Sequence, residues 1–263
     1  MRVPVVQHSG LRRSLRRRRA LWTGGEVLVT AGLVLLLLVV HQLWWTNREA
    51  RRGAEHKVQA LEREWGAGGG EQVGSGGGRR GGSGTAASAP PAREAGGARG
   101  RGQAGAAGSS RPVRSQAYAV LVIPRLGLRV PVAEGVSKQN VLNKGYVGHY
   151  IGTQQPGQAG NFAVAGHRNT HGEPFRYINR LRPRDVVEVE TSGATYTYAV
   201  DRTLPQTSAR DSGVVRAIPR SLVRPRYGYS EPGYYITLTT CTPEFTSRYR
   251  LVVWGRLVSM RPR

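Results

Sequence analysis

Tyr235-Ile236-Thr237-Leu238-Thr239-Thr240-Cys241-Thr242-Pro243 is a β-branched apolar run that ends on a cysteine and a proline. Such residues fit the pleated surface of a buried strand. Proline cannot donate to a ladder, so the strand stops after Thr242 and Cys241 sits at a rim. Outward from this stretch the same pattern repeats. Short apolar runs bounded by glycine and proline predict strands over 118–124, 127–133, 161–166, 186–191, 195–203, 234–241 and 249–259. Helical turns are expected near Lys138–Lys144 and Pro174–Leu181. Strands at this density, with few long helical periods, imply an all-β domain closed into a barrel.

That domain, residues 116–263, is 148 residues long and large enough to build a core. The 115 residues before it are of another kind. Residues 1–20 hold seven arginines and no acid, a basic tail expected on the cytoplasmic side. Residues 21–46 are expected to form a transmembrane helix. Val27 to Trp45 is 19 residues without a charge, about 29 Å of helix against a hydrocarbon core of roughly 30 Å. Trp44 and Trp45 occupy the place of an interfacial aromatic belt. No small-x-small cleavage site follows the run, so the segment reads as an uncleaved anchor and the later domain as extracytoplasmic. Residues 47–115 begin with helix formers of mixed charge up to Trp65, which predict a short juxtamembrane helix. Between Gly66 and Ser115, 17 of 50 residues are glycine, a composition expected to be a disordered tether.

Charge alone points elsewhere. The chain carries 39 Lys and Arg against 16 Asp and Glu, a formal charge of +23. Seven of those cations orient the anchor, and the barrel domain has 20 basic and 9 acidic residues, a net of +11. A domain outside the cytoplasm has no nucleic acid to meet, so no nucleic-acid partner is expected. A non-catalytic barrel that binds wall polyanions through this charge is the alternative.

One cysteine excludes an internal disulfide framework and any multi-cysteine metal site. A spare thiol in an exported domain needs a use, and the basic side chains that follow Cys241 favour a thiolate. Its partner would be a histidine. His8, His41 and His56 lie before the domain, which leaves His149, His167 and His171. His167 follows the strand-like Asn161–Gly166, and a rigid strand end would present it. His171 is four residues on, but Gly172 and Pro174 disfavour the helix that a zinc-binding His-x-x-x-His needs, and no metal is expected. A cysteine–histidine pair also needs a group to neutralise the oxyanion of acyl transfer. Alternation puts Arg248 and Arg250 on one face of the strand that follows.

These residues carry a family resemblance. Thr237-Leu238-Thr239-Thr240-Cys241 resembles the TLxTC signature of sortases, and Arg250-Leu251-Val252-Val253 their arginine strand. Gly166-His167-Arg168, with Gly172 and Phe175, resembles their histidine loop; Gly160–Gly172 and Thr240-Cys241-Thr242-Pro243 are similar to the class E branch. Ile123-Pro124-Arg125-Leu126-Gly127, Pro131-Val132 and Gly135 extend the likeness to about residues 118–259. The resemblance implies an eight-stranded barrel and a cysteine transpeptidase. In it Cys241 is the nucleophile, His167 the general acid for the leaving amine and Arg250 the oxyanion and substrate-aligning group. Arg250 is preferred to Arg248 because the matching arginine directly precedes the apolar strand. Thr240 and Tyr150 are expected in the substrate groove. The implied partners are exported proteins with an LAxTG- or LPxTG-like sorting signal, cut between Thr and Gly, and a cell-wall precursor amine. No cofactor is expected, nor the calcium that some members use, since the nine acids are scattered. A pilin-polymerising sortase is the alternative within the family, although residues 116–140 show no lid-like motif.

Overall fold

The structure, a computed structural model, describes residues 9–68 and 112–263. Strands β1 (Ala117–Ile123), β2 (Leu128–Glu134), β3 (Val147–His149), β4 (Gly160–Ala165), β5 (Val186–Thr191), β6 (Ala194–Ser208), β7 (Tyr234–Thr242) and β8 (Tyr249–Pro262) close into a barrel. Their order around it is β1-β2-β3-β4-β7-β8-β6-β5. Seven of the eight match strands expected from sequence. The eighth, β3, has three residues, too few for alternation to register, yet closure needs it. It runs parallel to β2 through Val132↔Val147 and antiparallel to β4 through His149↔Val164. The two expected helical turns shrink to single 3-10 turns, Leu142–Lys144 and Ile178–Arg180.

Period-2 alternation divides the apolar residues between two cores. Leu121, Val132, Phe162, Val164, Ile236, Leu238, Leu251 and Val253 fill the barrel interior. The opposite faces of β7 and β8 put Tyr235, Val252 and Trp254 outside the barrel, with Leu204, Val214 and Tyr229, beneath the connection from β6 to β7. That connection is organised by buried Asp211, which accepts from Thr207 Oγ1 at 2.6 Å, from the Leu222 amide at 2.9 Å and from the Ser221 hydroxyl. Burial alone would raise the Asp211 pKa, but the donors around it, Ser221 and Thr207 foremost, hold it below the usual carboxylate value.

The N-terminal segment differs from the expectation of two separate helices. One helix, α1 (Ser9–Gly68), runs without a break through both. Its apolar stretch Val27–Trp45 is exposed, and it is the one helix among the described residues long and apolar enough to cross a membrane. Beyond it, Ala50, Ala54, Val58 and Leu61 form a buried stripe at helical spacing. Val58 and Leu61 pack on Ala117, Val120, Ala133 and Val141 of the barrel wall. Arg129 ties Glu62 of α1 to Glu190 of β5, and Arg263 lies 4.6 Å from the Trp65 ring. Close approach is allowed by Gly145, at φ +79, where a Cβ would stand 2.7 Å from the Ala50 carbonyl oxygen. The tether expected over 66–115 and the first residues of the basic tail lie outside the described residues, save the tether's two ends.

Ile236 is 1% exposed at the centre of the barrel. Ile236→Ala is expected to destabilise the detergent-solubilised chain by about 2–5 kcal/mol, read as a lowered denaturation midpoint. An unchanged midpoint would contradict this packing.

Candidate active site

The register between β4 and β7 decides what meets at the rim. These parallel strands align Ala163 with Thr237 and Ala165 with Thr239. Two residues further on, the same alignment sets His167 level with Cys241. Two hydrogen bonds carry the ladder past the end of β4. The Gly166 amide donates to Thr239 O at 3.1 Å, and Thr240 Oγ1 donates to Gly166 O at 2.8 Å. Across the other edge of β7, Cys241 is directly opposite Arg250 of β8. Opposed residues of antiparallel strands have Cβ atoms about 4.5–5.5 Å apart. Alternation puts both on the outer face, with Thr239, Val252 and Trp254. His167, two residues past the end of β4, thus comes to the rim where Cys241 of β7 is paired with Arg250 of β8.

The loop bearing His167 is packed closely. A Cβ on Gly166 would meet the Phe175 ring at 2.8 Å, so only glycine fits there. Phe175 is fully buried, and its amide donates to His167 O at 3.0 Å. Arg168 is 7% exposed and straps the loop to the cysteine strand. Its Nη1 donates to Cys241 O at 3.2 Å and to Thr242 Oγ1 at 2.9 Å, and its Nη2 is 3.6 Å from Glu244. His167 Nε2 lies 2.9 Å from Asn143 Oδ1. That oxygen only accepts, so Nε2 carries the proton and Nδ1 is the basic nitrogen. The His171 ring stacks on His167 with centroids 5.3 Å apart. Burial, then His171, then Lys138 push the His167 pKa down from 6.5 to about 4. At neutral pH its imidazole is uncharged.

Arg250 Nη1 donates to Ser247 O and Tyr249 O, each at 2.9 Å, which fixes the guanidinium. Among the described residues its Nε and Nη2 have no partner, which leaves one donor edge open. Arg248 lies before β8, is exposed and rests 5.4 Å from the Tyr249 ring, so the two arginines do not share a strand face as expected. Tyr150 is half-buried, its hydroxyl 3.0 Å from Thr239 Oγ1, on the outer face that bears Cys241. Thr240 is different. It is 3% exposed, opposite inward-facing Leu251, and its hydroxyl is spent on Gly166.

Asn143, Arg168 and Thr239 touch the candidate side chains or their strand without a sequence signal that singles them out. Arg168 and Thr239 stand inside quoted motifs, while Asn143 lies 24 residues from its partner in a turn with no pattern of its own. His149, the third candidate histidine, is fully buried against Glu134, with Nδ1 2.6 Å from Oε2. Among the described residues, no three His, Cys, Asp or Glu side chains gather as a metal site requires.

A depressed histidine pKa has a signed consequence. Between pH 6.5 and about 4 the unfolded chain binds a proton at residue 167 that the native state refuses. This contribution to stability is present above pH 6.5 and is lost as pH falls through that window. The NMR titration midpoint of His167 is expected near 4, rising in His171→Ala. A midpoint at the ordinary histidine value would contradict the burial described.

Known proteins resemble this chain in sequence and in fold. The sortase-domain family model matches residues 121–258. The chain is 41% identical to Sortase SrtE1 of Streptomyces coelicolor over 244 residues, covering 91% of this chain and 57% of that protein. It thus spans little more than half of that relative's length. It is 33% identical to Sortase SrtE2 of the same organism over 239 residues, 89% of this chain and 80% of that one. The crystal structure of Sortase E1 from Streptomyces coelicolor, with a tripeptide in the active site, aligns at a TM-score of 0.54 and 50% identity. That alignment covers 58% of this chain and 94% of that chain. Most of the eight-stranded barrel and the motifs at its rim fall within residues 121–258, and the chain belongs to the sortase family, with its similarity running to class E members.

Proposed function

We propose that this chain is a membrane-anchored cysteine transpeptidase that cuts a C-terminal LAxTG- or LPxTG-like sorting signal between Thr and Gly. The observation that carries the proposal is the placing of His167, Cys241 and Arg250 at one rim. Cys241 Sγ attacks the carbonyl carbon of the scissile threonine. The thiol proton passes to His167, whose imidazole is neutral at the start of the cycle. Charge develops on the carbonyl oxygen, and the open edge of Arg250 is the donor able to meet it. Collapse of the tetrahedral adduct breaks the Thr–Gly bond as His167 gives its proton to the leaving amine, and a thioester forms on Cys241. A cell-wall precursor amine then attacks the thioester, His167 takes the amine proton, and the new amide leaves as the thiol is restored.

The proposal includes a topology. Residues 27–45 span the bilayer, the basic tail lies in the cytoplasm and the catalytic domain, residues 116–263, lies outside. Asn47 and Arg51 of α1 hydrogen-bond to Gly172 of the histidine loop. At 1.5 Å per residue they stand only about 3–9 Å along the helix beyond Trp45. The rim thereby faces the membrane, where an exported protein with an apolar tail and a lipid-held amine would both arrive. Tyr150 borders the signal's path on the outer face, and the wall proteins and acceptor are partners of this class.

Cys241→Ala in the detergent-solubilised full chain is expected to abolish cleavage of a fluorogenic LAxTG peptide. Arg250→Ala should lower kcat/KM by roughly 10²–10³-fold, while Arg248→Ala stays within about twofold. Turnover retained by Cys241→Ala would reject the mechanism, and equal losses at the two arginines would reject the role given to Arg250.

A further inference from the structure

Three successive residues of the histidine loop take left-handed backbone angles: His171 at φ +52, Gly172 at +84 and Glu173 at +54. Glycine tolerates this region, whereas histidine and glutamate hold it only where their surroundings compel them. Here the compulsion comes from α1. The Gly172 amide donates to Asn47 Oδ1 at 3.3 Å, and Arg51 Nε donates to Gly172 O at 3.1 Å. Both backbone groups at the centre of the strained run are thus satisfied from a helix more than 120 residues away in sequence.

The same two side chains hold Glu173, whose carboxylate is 5% exposed. Asn47 Nδ2 donates to Oε1 at 3.0 Å and Arg51 Nη2 to Oε2 at 3.0 Å; Arg176 of the loop itself adds a bond at 2.7 Å. A buried carboxylate without partners is costly, so removing α1 would leave the charge with one cation in place of two and no amide. The Arg51 side chain is 57% exposed, so its value lies in completing those bonds rather than in bare attraction. α1 also meets the opposite support of His167. Ala50 lies against Gly145, two residues from Asn143, whose side chain holds His167 Nε2.

We infer that the helix leaving the membrane is part of the active site: Asn47 and Arg51 are positioning residues that fix the 171–173 turn through Gly172 and Glu173 and so hold His167 beside Cys241. The inference rests on the sortase assignment of His167 and adds a role for the anchor besides tethering. Detached from α1, the turn relaxes to ordinary angles, the His171 ring leaves His167, and proton transfer loses its geometry while the peptide groove is intact.

The test compares full-length chains in detergent micelles: wild type, Asn47→Ala/Arg51→Ala, Arg51→Lys, Glu173→Gln and, as control, exposed Arg52→Ala. Cleavage of the LAxTG peptide gives kcat and KM, and hydrogen exchange follows the amides of 171–175. In the double variant kcat is expected to fall roughly 10- to 100-fold, the scale of a small misplacement of a catalytic group. KM should stay within about twofold and exchange at 171–175 should quicken. Arg51→Lys should recover part of kcat, Glu173→Gln should resemble the double variant, and Arg52→Ala should match wild type. Equal kcat and equal exchange in wild type and double variant would overturn the inference, as would a rise in KM at unchanged kcat. Glu173→Gln keeps shape and volume, so it decides the matter if the double variant does not fold. A wild type that cleaves nothing would count against the transpeptidase itself, and exchange at 171–175 would then decide the clamp alone.

Discussion

The parallel pairing of β4 with β7 is the constraint on which the site depends. A register error of one residue would turn His167 to the opposite face from Cys241. The alignment is fixed well before the rim, by Phe162, Val164, Ile236 and Leu238 facing the same core. It is then locked at the rim by the two bonds of Gly166 to Thr239 and Thr240. Hydrophobic packing sets the register, and the register sets the chemistry. Buried Asn161 adds a polar pin at the far end, where its Oδ1 accepts from Thr237 Oγ1 at 2.8 Å.

Much of this is legible in the sequence because strand ends punctuate themselves. Cys241 before Thr-Pro, His167 after an apolar run and Arg250 before another each mark where a strand meets a rim. What the sequence conceals are relations that depend on three-dimensional closure. β3 is three residues long, and its role is to complete the ring. Asn143 and Arg168 are polar loop residues whose importance comes from the side chains they reach. Thr240 adjoins the cysteine in sequence, and alternation nevertheless turns it inward.

The segment before the barrel shows another limit of patterns. The stripe Ala50, Ala54, Val58, Leu61 begins with two alanines amid arginines and glutamates, so its apolar signal is weak. Its partner surface, Ala117, Val120 and Ala133, belongs to strands that read as buried on both faces. A strand apolar on both faces needs cover on its outer side, and α1 supplies it. The +23 charge likewise says little as a sum, because its cations serve separate local ends. Arg168 straps a loop, Arg129 ties helix to barrel, and Arg250 is held by loop carbonyls with one edge open.

Cys241 as nucleophile requires an acyl link between its sulfur and a peptide cut between Thr and Gly. Intact-protein mass spectrometry of the full chain, quenched in acid soon after mixing with an LAxTG peptide and no amine acceptor, tests it directly. The expected result is a mass increase equal to the peptide through its threonine, released by hydroxylamine and absent in Cys241→Ala. An unmodified wild-type chain beside cleaved peptide, or an adduct on a residue other than Cys241, would contradict it.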